Sequence, residues 1–176
     1  EEAQDPIDFA TQGVDIRITY GAVAYPHLTH EVLFHDRMIP VAAPHLAATL
    51  RDGAVAAPDS LLIHTNWGPT FSSPHAWNHW LEAAGSTRSP DTGKGLGVER
   101  LAVAAVAARQ GLGVALLPET LAAADLAMGS LIAVGPALAL LPQPYVMIAR
   151  PTARLRSGVE PIWRHLLSQA RTPAPQ

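Results

Sequence analysis

The stretch from Val98 to Pro118 constrains the fold more than any other part of the chain. It reads as helix, glycine stop, short buried strand and proline stop. Leu101 to Ala108 is uncharged, apolar on every face and rich in alanine. Such a helix is expected to be covered on more than one side, its alanines letting neighbouring backbone come close. Gly111 and Gly113 suit a helix C-cap and a tight turn into a strand. Val114 to Leu117 is wholly apolar, the pattern of a central parallel strand covered on both faces. Pro118 closes that strand and stands where the next helix begins. An α-β-α corner of a parallel sheet is the expected result.

Before this corner, Val14 to Tyr20 alternates, with Val14, Ile16, Ile18 and Tyr20 expected on one face of a strand that Gly21 ends. Glu31 to Phe34 and Arg37 to Ala42 read as two extended runs, and Pro44 opens a short helix over about 44–50. Leu61 to His64 is a buried-type strand followed by the loop Thr65 to Ser73. Pro74 starts a helix whose Trp77, Trp80 and Leu81 fall at helical spacing and are expected to pack as core. Ser86 to Gly97 is a glycine-, serine- and proline-rich connection with room for one short strand. After the corner come a helix over 119–128 stopped by Gly129, and strands over 131–134 and 145–149. A last helix over 158–171 is expected to turn Ile162, Trp163 and Leu166 inward. Strands alternating with helices make an α/β domain with a largely parallel sheet, whose ligands sit at the C-terminal ends of strands.

Composition narrows the function. Twelve basic residues against fifteen acidic ones give a formal net charge of −3, and the basic residues are scattered rather than gathered into the face a free-standing nucleic-acid binder presents. No run approaches the ~20 apolar residues that a membrane helix requires. Without cysteine there is no disulfide framework, thiolate nucleophile or zinc ribbon, and a cytoplasmic setting fits. His75 and His79 share a metal-ligand spacing, but they lack the acidic partner of a zinc motif and read as a solvated helix face. Gly93-Lys94-Gly95 lacks the full phosphate-loop pattern and a clear preceding strand. The loop serines have no Gly-x-Ser-x-Gly elbow and no evident base. No cofactor and no metal is expected.

Four phrases occur in order across nearly the whole chain: Phe9 to Gly21, Val41-Ala42-Ala43-Pro44, Trp77 to Gly85, and Gly111 to Pro118. Together they resemble the effector-binding domain of LysR-type transcriptional regulators, nearest to the branch of the glycine-cleavage activator and the β-lactamase-inducing regulator. The resemblance implies two Rossmann-like lobes, similar to type-2 periplasmic binding proteins, with a ligand cleft between them. Lobe I would hold 1–42 and 144–176, lobe II 43–143, with hinges near Ala42-Ala43 and Gln143-Pro144. It also implies a small-molecule effector, anionic or amino-acid-like, and self-association of the full-length protein into a homodimer or tetramer. DNA contact would fall to an N-terminal helix-turn-helix that this sequence does not include. The first βα unit of the family's domain is not matched here either.

Three groups of residues are candidate effector contacts. The helix expected to begin near Val98-Glu99 offers unpaired N–H groups and a positive dipole end to an anion, and the resemblance puts effector contacts at Glu99, Arg100 and Leu101. The alternative is a first-turn Glu serving the dipole beside a solvated Arg. Thr65, Asn66 and Trp67 follow a buried strand and bring hydroxyl, amide and indole groups, unless they form an ordinary surface turn. Tyr20, Gly21 and Ala22 end another strand and make the opposite wall, unless Tyr20 belongs to the core. Two other functions are open on these residues: a solute-binding protein of the same fold, and a small α/β hydrolase or transferase.

Overall fold

The computed structural model describes residues 6–65, 74–139 and 141–170. In chain order its strands and helices are β1 (Ile16–Tyr20), β2 (His30–Phe34), β3 (Met38–Ala42), α1 (Pro44–Ala47), β4 (Leu62–Thr65), α2 (Pro74–Ala83) and β5 (Leu96–Val98). Then follow α3 (Leu101–Arg109), β6 (Val114–Pro118), α4 (Glu119–Met128), β7 (Ile132–Ala133), β8 (Tyr145–Ala149) and α5 (Val159–Ala170). The chain divides into two units, Glu1–His35 with Leu141–Gln176, and Asp36–Leu140. β3 pairs with β6 and β7. It therefore stands in the second unit, ahead of the 42/43 boundary read from the sequence.

The first unit is built on a three-stranded sheet of order β1-β8-β2, in which β8 runs antiparallel to both neighbours. One face, with Met147 and Ala149 of β8 and Leu33 of β2, is covered by Trp163 of α5. The other, with Val146 and Ile148, is covered by Ile7, Phe9 and Tyr25. Tyr25 is fixed there by an edge-on contact with Phe9 at 5.7 Å and by its hydroxyl, which accepts the Ile7 N–H at 2.9 Å. Of the four residues expected on one face over 14–20, Ile16, Ile18 and Tyr20 lie opposite Ala149, Met147 and Tyr145 and share a face, while Val14 does not join them. Val14 precedes the strand and packs on the Phe9 side, Ile16 packs on the Trp163 side, and Ile18 is 44% exposed. β1 is an edge strand, and its outward-placed Ile18 is left partly uncovered although it shares the face of Ile16. Ile162, expected inward, is 55% exposed, because Trp163 and the partly buried Leu166 take the face of α5 that meets the sheet.

The second unit holds a five-stranded sheet of order β5-β4-β6-β3-β7. β5, β4 and β6 are parallel, while β3 is antiparallel to β6 and to β7. The largely parallel sheet expected from the alternating pattern is thus corrected to one mixed and one antiparallel sheet. β6 is buried along its whole length, and Pro118 ends it and leads into α4. The helix before it is covered on one side only. Ala104, Ala105, Ala107 and Ala108 pack into the core with Ile63, Ala115 and Leu117, while Val103 and Val106 remain about half exposed. Alanine on the inner face lets α3 lie close to the sheet. On the opposite face of β4, Trp77 and Trp80 stand edge to face at 5.9 Å, and the Trp77 indole N–H donates to the Ile63 carbonyl at 3.0 Å. The Trp-x-x-Trp-Leu face is core, as its spacing indicates.

A buried carboxylate ties the start of the second unit to α4. Asp36 accepts its neighbour's Arg37 N–H at 2.8 Å and the Thr120 hydroxyl, and the Glu119 N–H donates to the Arg37 carbonyl at 2.8 Å. Pro118 offers no side-chain cap to α4, so these bonds satisfy donors at the helix N-terminus from a distant segment.

Candidate functional site

In the second unit Thr65, Glu99, Arg100 and Leu101 come together at one end of the sheet. β4 and β5 are parallel, and Thr65 lies opposite Val98. Thr65 is therefore beside the segment Val98–Arg100 that leads into α3. Thr65 is buried, Leu101 half-buried, and Glu99 and Arg100 are exposed. The helix begins at Leu101, not near Val98-Glu99, because Val98 is the last paired residue of β5 and Arg100 is extended, at φ −130° and ψ 139°. Glu99 therefore precedes the helix, and the first turn of α3 contains no acidic residue. Asn66 and Trp67 lie outside the described residues.

His64 precedes Thr65 and was not singled out by sequence, where it looks like the polar end of an apolar strand. Its side chain is buried, and among the described residues neither ring nitrogen has a hydrogen-bond partner. Burial lowers its pKa below the usual histidine value, opposed in part by the Lys94 backbone and the Asp59 carboxylate. Asp59 also holds the 86–95 connection against the strand. It accepts the Arg88 guanidinium through one oxygen and the Asp91 N–H at 3.0 Å through the other, while Arg88 donates to the Val55 carbonyl at 2.9 Å. The Arg88 bond keeps the Asp59 carboxyl below its ordinary range.

The sign of the His64 effect follows from its burial. A histidine that resists protonation when folded leaves the unfolded chain binding more protons, so stability is full above the unfolded pKa of about 6.5 and falls as pH drops through it. Urea midpoints for the parent are expected to fall between pH 8 and pH 5.5 by more than those of His64→Leu. Equal losses in the two proteins would remove His64 as the cause.

In the first unit Tyr20, Gly21 and Ala22 stand where β1 ends. The Tyr20 hydroxyl accepts the Gln143 N–H at 3.0 Å, and its ring meets Tyr145 edge-on at 5.6 Å. Tyr145 in turn stacks on Phe34 at 5.0 Å. Partial burial raises the Tyr20 phenol above its ordinary pKa. Gly21 turns the chain at φ +70°, with its N–H on the Pro144 carbonyl at 2.8 Å; glycine adopts this conformation without a Cβ penalty. Ala22 packs on the Phe9–Tyr25 cluster. The structure thus presents a half-buried aromatic strand end in one unit. In the other it presents a polar strand end with a helix start.

His79 is exposed, and among the described residues no three histidine or acidic side chains gather in a way that would hold a metal. Among those residues no helix is long and apolar enough to cross a membrane.

A family model described as the LysR substrate binding domain matches residues 1–171. Among curated proteins, the HTH-type transcriptional regulator TrpI of Pseudomonas aeruginosa is 39% identical over 98 residues, 56% of this chain and 32% of TrpI. The HTH-type transcriptional activator AmpR of the same organism is 31% identical over 127 residues, 71% of this chain and 40% of AmpR. The chain spans about a third to two fifths of the length of these relatives. The solved effector domain of Pseudomonas aeruginosa AmpR matches with a TM-score of 0.72 at 24% identity, over 94% of this chain and 76% of that one. The AmpR effector binding domain of Citrobacter freundii gives 0.75 at 19% identity, over 94% and 79%. These likenesses show the fold, the two-lobe architecture of the type-2 periplasmic-binding-protein kind.

Proposed function

The chain belongs to the LysR substrate binding domain family, and from that premise we propose that it is the sensing domain of a transcriptional regulator. Its ligand is a small anionic or amino-acid-like effector. Thr65, Asn66, Trp67, Glu99, Arg100 and Leu101 supply contacts from one lobe, and Tyr20, Gly21 and Ala22 from the other. A cytoplasmic setting belongs to this reading.

The observation that carries the proposal is the β4–β5 register. It brings Thr65, the exposed Arg100 and the α3 N-terminus to one strand end, where α/β folds bind ligands. Backbone N–H groups at that helix start, together with a guanidinium, suit a carboxylate. The effector acts by binding one arrangement of the regulator better than another, and its influence is limited by that difference in affinity. In this reading the domain transforms nothing. DNA is held by the helix-turn-helix of the longer protein, as a homodimer or tetramer.

A thermal-shift screen of small anionic metabolites and amino acids tests the reading. A hit at a hundredfold excess over its Kd adds about 2.7 kcal/mol of stability. Arg100→Ala and Thr65→Ala are each expected to weaken that hit about tenfold. A hit that binds both variants as tightly as the parent would show that the site is misplaced.

A further inference from the structure

A hollow of about 440 Å3 opens in the first unit, at the end of β8 opposite Tyr145. The five residues of β8 put ~13 Å between those ends. The hollow therefore lies away from the Tyr20 strand end and is distinct from the site proposed above. Its volume falls in the range of small-molecule pockets. Ala149, Pro151, Leu155 and Trp163 give it an apolar wall, and Leu155 stands 86% exposed at its mouth.

The polar groups around this wall are arranged by charge. Arg154 lies over the Trp163 ring, 4.7 Å from its centre. Its Nε and Nη2 donate to the two oxygens of Glu160 at 3.1 and 3.3 Å. The guanidinium is thereby held in place, and among the described residues nothing accepts from its Nη1. Arg164 also donates to Glu160, at 2.9 Å. Glu160 is thus shared between two arginines, of which Arg154 lines the hollow. The exposed Glu31 also lines the hollow, and β2 places it opposite Met147 and so on the sheet face that carries Trp163. An apolar wall flanked by an oriented cation and a separate anion has the charge pattern of a small zwitterion's complement.

We propose that this hollow is a second ligand site, taking a zwitterion with an apolar body, the chemistry of an apolar α-amino acid. The carboxylate meets Nη1 of Arg154, the ammonium meets Glu31, and the apolar body lies on Leu155 and Trp163. Pre-orientation of Arg154 by Glu160 and Trp163 lowers the ordering cost that an unrestrained arginine would carry. Because these contacts are exposed, the affinity expected is modest, in the millimolar to high micromolar range.

The test is amide and indole NMR of the whole chain titrated with L-leucine, with isocaproate, which lacks the ammonium, and with isoamylamine, which lacks the carboxylate. Leucine is expected to move the signals of Glu31, Ala149, Arg154 and Trp163 along one saturable curve. Each single-charge analogue should bind about tenfold more weakly. Glu31→Gln should erase leucine's advantage over isocaproate. Arg154→Gln should erase its advantage over isoamylamine. Glu31 is exposed, so its variant keeps the test decisive even where loss of the Arg154 stack disturbs the fold. The proposal is overturned if millimolar leucine leaves these signals in place, if all three probes move them equally, or if both variants bind leucine like the parent. Such a failure leaves the screen at Arg100 and Thr65 unaffected, since those residues lie in the other unit.

Discussion

Trp80→Ala is expected to destabilise the second unit by about 3–5 kcal/mol. The ring is fully buried, lies edge to face with Trp77, and donates its indole N–H to the Pro136 carbonyl at 3.1 Å. Its far edge meets Gly135, where an added Cβ would come within 2.6 Å of the ring. One side chain thus joins α2 to the segment after β7. Truncation leaves a cavity that backbone on both sides cannot close, and it strands a carbonyl. Trp80→Phe keeps most of the volume and should lose less, about 1–3 kcal/mol. Urea unfolding followed by far-UV circular dichroism measures both. A loss below about 1 kcal/mol for the alanine variant would contradict the packing described here.

Gly95→Ala is the second large effect expected, about 2–5 kcal/mol from one added methyl group. Gly95 sits at φ +85°, and a Cβ there would lie well inside contact distance of the Leu62 carbonyl oxygen, with the Asp59 carbonyl oxygen at 2.8 Å. Both obstacles are backbone, so no side-chain rotation relieves them. The strain falls on the β4–β5 pairing, which begins at the next residue with Leu96 opposite Ile63. The same substitution at Gly85, also at positive φ, meets nothing within 4 Å and should cost only the conformational part, about 1 kcal/mol. Comparing their thermal midpoints separates close approach from backbone preference. Equal losses would remove the contact as the cause. Gly95 of the Gly93-Lys94-Gly95 sequence is in this light a structural need, serving close approach to the backbone at Asp59 and Leu62.

The corner from α3 through β6 to α4 was legible because proline and glycine punctuate it and the apolar run between them has a strand's length. The Trp77–Trp80–Leu81 face was legible for a similar reason, helical spacing being a local signal. Strand direction carried no such signal. β8 enters between β1 and β2 from far along the chain, and neither its place nor its antiparallel sense is written in its five residues. Exposure was misread on α3, where Val103 and Val106 differ from their buried alanine neighbours only by position around the helix. At the site, the grouping of Thr65 with Glu99, Arg100 and Leu101 rested on family likeness, and the start of α3 was set too early because Val98 pairs in a sheet. His64 gave no signal at all, since one histidine after three apolar residues looks like any strand end.

The order β1-β8-β2 also bears on how the molecule is assembled in time. The strand that joins the other two is the last of the eight to be made. During synthesis from the N-terminus, β1 and β2 are present while the whole stretch Asp36–Leu140 is completed, and neither has its sheet partner until Tyr145–Ala149 emerges. The second unit is continuous in sequence and closes its own sheet first. The first waits on a long-range closure, slow by the ordinary dependence of folding rate on sequence separation. Two unpaired strands with Ile18 and Val32 on them, both substantially exposed even in the finished fold, are the segments that a nascent chain most needs to keep apart from its neighbours.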